Sequence, residues 1–140
     1  MSSSKRVFIA PDMFFAFIDR AHPKHIHAAA FFRYFAQEQY ILFTNIVSIN
    51  HAYTEIYQQI SPSLAKDFLR ALSLGTINIL YPDDTDTKMA LKALINYTST
   101  ELAFEEAIMA VLAYKRNVHS ICTFGYLHPL FGQNVFYLPI

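Results

Sequence analysis

Asp12 is the residue whose type and position in the sequence most directly indicate chemistry. It follows the short apolar run Val7-Phe8-Ile9, which is typical of a buried strand in a parallel sheet. Ligands of open α/β sheets bind in the crevice beyond the carboxyl ends of such strands. Because hard cations such as Mg²⁺ take carboxylate oxygens as ligands, a carboxylate at this place predicts a candidate metal site.

Histidines and a cysteine form two further candidate sites, for which the sequence also offers structural explanations. One short stretch contains three imidazoles that could bind Zn²⁺ together: His22, His25 and His27. Cys122 and His128 are close in sequence, but a nucleophilic pair needs a third group to orient the histidine. Cys122 lies among apolar residues, so we expect it in the core, where free cysteines are usually buried.

Hydrophobic periodicity predicts the strands and helices that position these side chains. Strands are predicted at residues 7–9, 40–45, 76–81, 120–124 and 134–138. Helices are predicted at about residues 12–20, 23–38, 46–60, 62–75, 86–97 and 101–117. Strands separated by helical crossovers predict an α/β fold, with a mainly parallel sheet of about five strands and helices on both faces. The sequence has no linker or internal repeat, so residues 1–140 are expected to form a single domain.

Local sequence signals give the expected ends of the helices. Asp12 is a favoured N-cap residue, and Pro23 suits the first turn of the second helix because its missing N–H costs little there. The stretch Thr98-Ser99-Thr100-Glu101 predicts a capping box. Gly75 is a candidate C-cap, and the acidic stretch 83–86 is expected to form a turn and an N-cap.

Composition limits the classes of function. Lys+Arg and Asp+Glu are both 11, and a formal net charge of zero does not favour a general nucleic-acid-binding surface, which would normally be basic. The 3 glycines form no Gly-rich turn after the first strand, which argues against a P-loop or a dinucleotide site. The single cysteine excludes an intramolecular disulfide. Without an apolar run of about 18–20 residues or a signal-peptide core, we expect a cytoplasmic protein that does not contact a membrane.

Four short stretches at predicted strand ends and helix starts together resemble the signature of a known family. They are Ala10-Pro11-Asp12, Asn45-Ile46-Val47-Ser48-Ile49-Asn50, Leu102-Ala103-Phe104-Glu105-Glu106-Ala107 and Thr123-Phe124-Gly125. Their order resembles that of the PIN domains, and within that family the VapC-type toxin ribonucleases, over nearly the whole chain. The resemblance implies a three-layer α/β/α fold. It also implies a site in which four acids hold one or two Mg²⁺ or Mn²⁺ ions for the cleavage of RNA.

Three of the four acid positions of that family are neutral in this sequence. Those positions hold Ala10, Asn50 and Gly125. Glu106 keeps the acid at the remaining position, and Asp12 stands where the family usually has Asn or Ser. The resemblance implies that all five of these residues, with Glu105, converge on one crevice at the carboxyl edge of the sheet.

Two interpretations of the remaining acids lead to different functions. In the first, Asp12 and Glu106 are ligands of Mg²⁺ or Mn²⁺, and the chain is a Mg²⁺-dependent endoribonuclease of the VapC toxin type. Glu105 and the amide oxygen of Asn50 would complete this rearranged site. In the second, the same acids only stabilise the N-termini of helices. We favour the second interpretation, because nothing in the sequence restores the lost charges.

The sequence therefore predicts a PIN-like domain with a degenerate nuclease site, which acts by binding a protein or RNA rather than by cleavage. No cofactor is expected unless the acidic site holds Mg²⁺ or Mn²⁺. A more distant alternative is a domain that binds a small molecule or a metal in the same crevice. The expected partners are an antitoxin-like protein, RNA and a second copy of the chain. A homodimer, or a heteromer, is predicted to use the helices at 46–75 together with part of an aromatic surface of the first two helices, which is formed by Phe14, Phe15, Phe17, Phe31, Phe32 and Phe35.

Overall fold

The structure, a computed structural model, describes residues 5–98 and 101–138. The strands are β1 (Arg6–Ile9), β2 (Ile41–Asn45), β3 (Ile77–Leu80), β4 (Ser120–Cys122) and β5 (Asn134–Val135). The helices are α1 (Pro11–Ile18), α2 (His25–Gln37), α3 (Ile46–Gln59), α4 (Pro62–Leu72), α5 (Asp84–Asn96) and α6 (Phe104–Lys115). The strands form one sheet in the order β3-β2-β1-β4-β5, and every pair is parallel. This confirms the predicted α/β fold with a five-stranded parallel sheet.

Strand β1 lies at the centre of the sheet and contributes to a core on each face. Val7 and Ile9 pack in one apolar cluster with residues of α1, α2, α3 and α4. Phe8 packs in a second cluster, with residues of α5 and α6. Successive side chains of a strand point to opposite faces, so this alternation produces three layers. Helix α6 is central to its layer, as predicted, because every residue from Ala107 to Ala113 is buried.

Helix α5 begins at Asp84, two residues before its predicted start, and three other predicted helix starts also differ from the structure. Helix α1 begins at Pro11, whose missing N–H is tolerated in the first turn, and its N-cap is Ala10 rather than Asp12. Helix α2 begins at His25, because residues 19–24 form turns in which backbone N–H groups bond carbonyls three residues back.

The third wrong start is that of α6. Its N-cap is Ala103, which makes no side-chain cap hydrogen bond, so the capping box predicted at Thr98-Ser99-Thr100-Glu101 does not begin this helix. Ser99 and Thr100 themselves lie outside the described residues. Leu102 is buried in a cluster with Ala110 and Leu130, and this packing holds the chain in a non-helical path just before α6.

Other end signals agree more closely with the structure. Asp83 and Asp86 form the expected cap of α5 as a reciprocal capping box, in which each side chain accepts a hydrogen bond from the other residue's backbone N–H. Helix α4 ends with Ser73 as its C-cap, two residues before the predicted Gly75. Gly75 does adopt the left-handed conformation that favours glycine, with φ of 82°.

The aromatic residues of α1 and α2 are only partly covered within the chain. Phe14 and Phe35 are buried, whereas Phe17 is 42% exposed. Phe14 stacks against Phe32 with ring centroids 6.2 Å apart, and Phe17 meets Phe32 edge to face with ring centroids 5.0 Å apart. Dimerisation through this surface remains a prediction. The described residues include no helix that is long and apolar enough to cross a membrane.

Candidate functional site

A cleft of about 240 Å³ opens at the carboxyl edge of the sheet. Residues of α1, α3 and α6 line it. Four of the residues predicted for the crevice line it: Ala10, Asp12, Glu105 and Glu106. Gly125 is adjacent, since a Cβ placed on it would lie 4.0 Å from Oδ2 of Asp12. These residues are far apart in sequence, and the parallel sheet brings them together.

Asn50 is not among the residues that line this cleft. It is exposed and borders a neighbouring surface depression on α3, which shares His51 and Glu55 with the cleft. His51 lines the cleft instead, together with Glu55 one helical turn later. Adjacent helical residues are rotated by about 100°, whereas residues four apart share a face, so a prediction that is one residue out selects the wrong side of the helix. The i,i+4 spacing of His51 and Glu55 directly after β2 is the signal that could have identified both.

Asp12 connects the segment after β1 to the segment after β4. Its Oδ2 accepts hydrogen bonds from the hydroxyl of Thr123 at 2.9 Å and from the backbone N–H of Phe124 at 2.8 Å. The N–H of Gly125 in turn donates to the Thr123 hydroxyl oxygen at 3.1 Å. The other oxygen, Oδ1, is sealed from solvent, and no donor among the described residues bonds to it.

Glu106 is bound by His128 through both of its carboxylate oxygens. Oε2 accepts the backbone N–H of His128 at 2.6 Å, and Oε1 lies 2.8 Å from the ring Nδ1. The rings of Tyr97 and Tyr126 meet the His128 ring edge to face, with centroids 5.8 Å and 4.9 Å away. The retained acid of the family pattern therefore fixes the loop after β4 in this structure.

Glu105 makes a similar contact on the other side of the cleft. Its Oε1 lies 2.6 Å from Nδ1 of His51, whose Nε2 is 4.0 Å from Oε1 of Glu55. The second oxygen of Glu105, Oε2, is sealed from solvent and accepts no hydrogen bond from the described part of the chain. Asp12 and Glu105, two residues that line the cleft, thus each have one carboxylate oxygen that is closed to solvent and has no donor among the described residues.

The other sequence candidates have structural roles. The Nδ1 atom of His22 accepts the N–H of Lys24 at 3.0 Å, and Nδ1 of His25 lies 3.0 Å from the carbonyl of Ala16. Cys122 is buried in the core, and this burial raises the pKa of its thiol well above the usual value. A protonated, inaccessible thiol is not a nucleophile.

In the folded chain, the carboxylates and histidines of the cleft are not arranged to bind a divalent cation. Over residues 5–98 and 101–138, no three His, Cys, Asp or Glu side chains are grouped closely enough to hold a metal ion. Oδ2 of Asp12 and both oxygens of Glu106 are already engaged by hydrogen-bonding groups of the protein. A metal ion bound by these oxygens of Asp12 and Glu106 would have to share them with the present donors or displace those donors.

Comparison with known proteins supports the fold but not a specific activity. No protein-family model and no curated protein matches the sequence. Among solved structures, the chain is similar to the crystal structure of VapC20 from Mycobacterium tuberculosis, described as a sarcin-ricin loop cleaving toxin. The TM-score is 0.76, the identity is 14%, and the match covers 85% of this chain and 89% of that chain. The fold is therefore PIN-like, as the sequence resemblance implied.

Proposed function

We propose that this chain is a PIN-like domain with a degenerate nuclease site, and that its cleft binds a protein partner rather than cleaving RNA. The observation that carries the proposal is the double engagement of Glu106 by His128. Glu106 is the acid that matches the family pattern, and its oxygens are used to hold a loop. The neutral residues Ala10 and Gly125 stand at two of the other acid positions and supply no ligand in its place.

The chemistry of the cleft indicates the kind of partner. Oδ1 of Asp12 and Oε2 of Glu105 are buried acceptors without donors. Leaving a buried polar atom unsatisfied costs about 1–3 kcal/mol. Both oxygens are closed to solvent in the folded chain, so an N–H donor of a ligand bonds to them only if side chains of the cleft move, and the unsatisfied oxygens favour that movement. A guanidinium carries five donors in a planar arrangement that suits carboxylates. The cleft is therefore suited to an arginine side chain of a protein segment.

The charge of the cleft favours such a basic segment over RNA. Its lining includes four carboxylates, on Asp12, Glu55, Glu105 and Glu106. None of the described lining residues is Lys or Arg, the residues that neutralise phosphates in nucleic-acid complexes. An RNA backbone would meet repulsion here, whereas a cationic side chain would be attracted. In a protein whose fold resembles that of a toxin, an antitoxin-like protein is the class of partner that we propose.

The competing function is a Mg²⁺-dependent endoribonuclease of the VapC toxin type. The likeness to VapC20 favours it, as does the unpaired oxygen of Asp12 in the cleft. It would require a bound ion or substrate to displace His128 from Glu106, because the present contacts occupy both oxygens of that residue.

Cleavage assays on a mixed panel of single-stranded RNAs distinguish these two functions. The wild type is compared with Asp12→Ala and Glu106→Ala in Mg²⁺ and in Mn²⁺. We expect no metal-dependent cleavage by any of the three proteins. Robust cleavage by the wild type that both substitutions abolish would overturn the proposal and establish the endoribonuclease.

A second assay tests binding directly. A blocked peptide with one arginine among glycines is titrated into the ¹⁵N-labelled protein, and its dissociation constant is measured from NMR shifts. We expect Glu105→Gln to weaken binding by about tenfold, in line with the loss of a charge-assisted hydrogen bond. The matched control is Glu38→Gln, because Glu38 pairs with Lys5 at the surface and lies outside the cleft.

A further inference from the structure

A second cavity adjoins the cleft, between the segment that follows β4 and the segment around β5. Its volume is about 420 Å³, within the range of about 300–1,000 Å³ that is usual for ligand sites. Its walls are mainly aromatic, with five rings from Phe31, Phe124, Tyr126, Phe136 and Tyr137. We call it the aromatic cavity. A ligand that occupied the cleft could extend into it, because the two share three lining residues, among them Thr123 and Tyr126.

The same carboxylate that lines the cleft also holds one wall of the aromatic cavity. Asp12 fixes Thr123 and Phe124 through its Oδ2, and Thr123 fixes Gly125. Gly125 also lines the aromatic cavity. Because glycine has no side chain, it places no side-chain atoms between the cavity and the carboxylates of the cleft. The cleft and the aromatic cavity are therefore adjoining parts of one surface, and the hydrogen bonds of Asp12 hold the wall that they share.

The rings of the aromatic cavity differ in how well the chain covers them. Phe31 packs against Phe124 and Phe136, with ring centroids 5.9 Å and 6.0 Å away. By contrast, Tyr126 is 79% exposed and Tyr137 is 78% exposed. The inner wall is thus rigidly packed, while the outer wall offers two tyrosine rings that the chain itself leaves uncovered. Aromatic rings of this kind gain from a planar apolar partner in edge-to-face or offset contact.

We propose that the aromatic cavity binds an aromatic side chain of the same partner segment whose cationic side chain enters the cleft. This inference rests on the proposed function. The charges of the cleft select this occupant, because an acidic cleft beside an apolar cavity complements a segment that carries a basic and an aromatic residue close together. In an extended segment, residues two apart point to the same side, so the expected spacing is Arg-x-Phe.

A nucleobase could also stack on the exposed tyrosines, but the neighbouring charges disfavour it. Its phosphates would have to approach Asp12, Glu105 and Glu106, which line the adjoining cleft. A nucleic-acid ligand is therefore disfavoured at this surface.

The experiment uses the full chain and three blocked peptides that differ at a single residue. The parent is Gly-Gly-Arg-Gly-Phe-Gly, one derivative has alanine in place of phenylalanine, and the other has glutamine in place of arginine. Dissociation constants come from NMR titrations. We expect the parent to bind about tenfold more tightly than the alanine peptide, because burial of an aromatic side chain is worth at least that factor. We expect a similar loss for the glutamine peptide.

Two tyrosine variants locate the aromatic contribution. Tyr137→Ala should abolish the tenfold preference for the parent over the alanine peptide and leave the affinity of the alanine peptide unchanged. Tyr81→Ala is the matched control, since Tyr81 is 65% exposed and does not line the cavity. It should leave both affinities unchanged. Both substitutions remove exposed rings, so loss of folding is not expected, and the NMR spectrum checks this.

The outcomes separate this inference from the function on which it rests. If the parent and alanine peptides bind equally and Glu105→Gln weakens both, the cavity assignment is overturned while the binding function stands. If no peptide binds, both are overturned. If the peptides fail but a 12-nucleotide oligouridine binds in a way that Tyr137→Ala weakens, the occupant is a nucleobase and both proposals are overturned.

Discussion

Glu106 holds His128 by two contacts, at 2.6 Å to the backbone N–H and at 2.8 Å to the ring Nδ1, across 22 positions of sequence. The pair ties the first turn of α6 to the segment after β4. Both side chains are largely buried, so the hydrogen bonds are protected from water. In this arrangement the carboxylate that matches the PIN pattern acts as a structural anchor of the loop that borders both the cleft and the aromatic cavity.

The first prediction is that Glu106→Ala destabilises the fold. The substitution leaves the N–H of His128 without its acceptor, which is expected to lower the free energy of unfolding by about 1–3 kcal/mol. Urea denaturation measures this difference. Glu105→Ala is the matched control: its partner His51 is half exposed, so the loss should stay below about 1 kcal/mol. Equal effects of the two substitutions would contradict the anchoring role.

The second prediction concerns Asp12. Asp12→Ala removes the acceptor of two hydrogen bonds, from Thr123 and Phe124, and is expected to cost about 1–3 kcal/mol of stability. Asp12→Asn keeps an acceptor oxygen and should cost less. Asp67→Ala serves as the control, because Asp67 pairs with Arg70 on the exposed surface of α4. A residue that serves only as a metal ligand would give unchanged or increased stability on replacement, and that result would contradict the structural role.

Much of the fold could be predicted from the sequence because its signals are local. Apolar runs such as Val7-Phe8-Ile9 identify strands, and the strands alternate with amphipathic helices, which specifies a parallel sheet. The same logic placed Asp12 at the carboxyl edge of the sheet. It did not show how the side chain is used, because the partners of Asp12 are 111 and 112 residues away.

The remaining errors at the site have the same physical origin. His128 follows the last core strand without any motif, and its contact with Glu106 exists only in the folded chain. Asn50 and His51 are adjacent in sequence and border one surface depression on α3, but only His51 also lines the cleft. A motif alignment that is one residue out therefore gives the right helix and the wrong side chain.

The third prediction is a pH dependence of stability that arises from Asp86. Burial raises the pKa of this carboxyl, but hydrogen bonds from Lys115 and from the backbone of Asp83 lower it by more, so the folded-state pKa is below its usual value. A depressed pKa contributes stability that is complete above the unfolded value of about 3.9 and is lost as the pH falls through the folded value. Urea unfolding between pH 7 and pH 3 should therefore show a stability advantage over Asp86→Asn that shrinks below about pH 4.

Asp84→Asn is the control for this pH series. Asp84 is on the same helix and its side chain is 83% exposed, beside Lys88. Its substitution should change the pH dependence much less. If the difference between wild type and Asp86→Asn is the same at pH 7 and pH 3, the pair with Lys115 does not contribute in the expected way.

The fourth prediction is that the chain dimerises through the aromatic surface of α1 and α2. Phe17 borders an apolar groove of about 200 Å³ together with Phe14, Phe32 and Phe68. A charge introduced into a desolvated interface is costly, so Phe17→Glu should convert a dimer into a monomer in sedimentation experiments. Ile95→Glu is the control, because Ile95 is 79% exposed on α5, which packs on the other face of the sheet. A wild type that sediments as a monomer at high micromolar concentration would contradict the prediction.

The last prediction is that metal binding can be introduced by placing two further acids in the cleft, in the double variant Ala10→Asp with Gly125→Asp. A Cβ at position 125 would lie 3.6 Å from the Thr123 hydroxyl and 4.0 Å from Oδ2 of Asp12, which are ordinary contacts, so a side chain fits there. Ala10 lines the same cleft. Two added carboxylates beside Asp12 should create the oxygen-rich site that Mn²⁺ prefers.

Thermal unfolding with and without Mn²⁺ provides the readout for this double variant. Metal at about 100 times its dissociation constant would stabilise the folded state by about 2.7 kcal/mol, whereas the wild type should show no comparable shift. The matched control is Ala10→Asn with Gly125→Asn, which has nearly the same shape without the charges. A folded aspartate variant that responds to Mn²⁺ no more than the asparagine variant would mean that positions 10 and 125 are not the lost metal positions. The degenerate-site interpretation would then lose its structural basis, since it depends on the absence of carboxylates at those two residues.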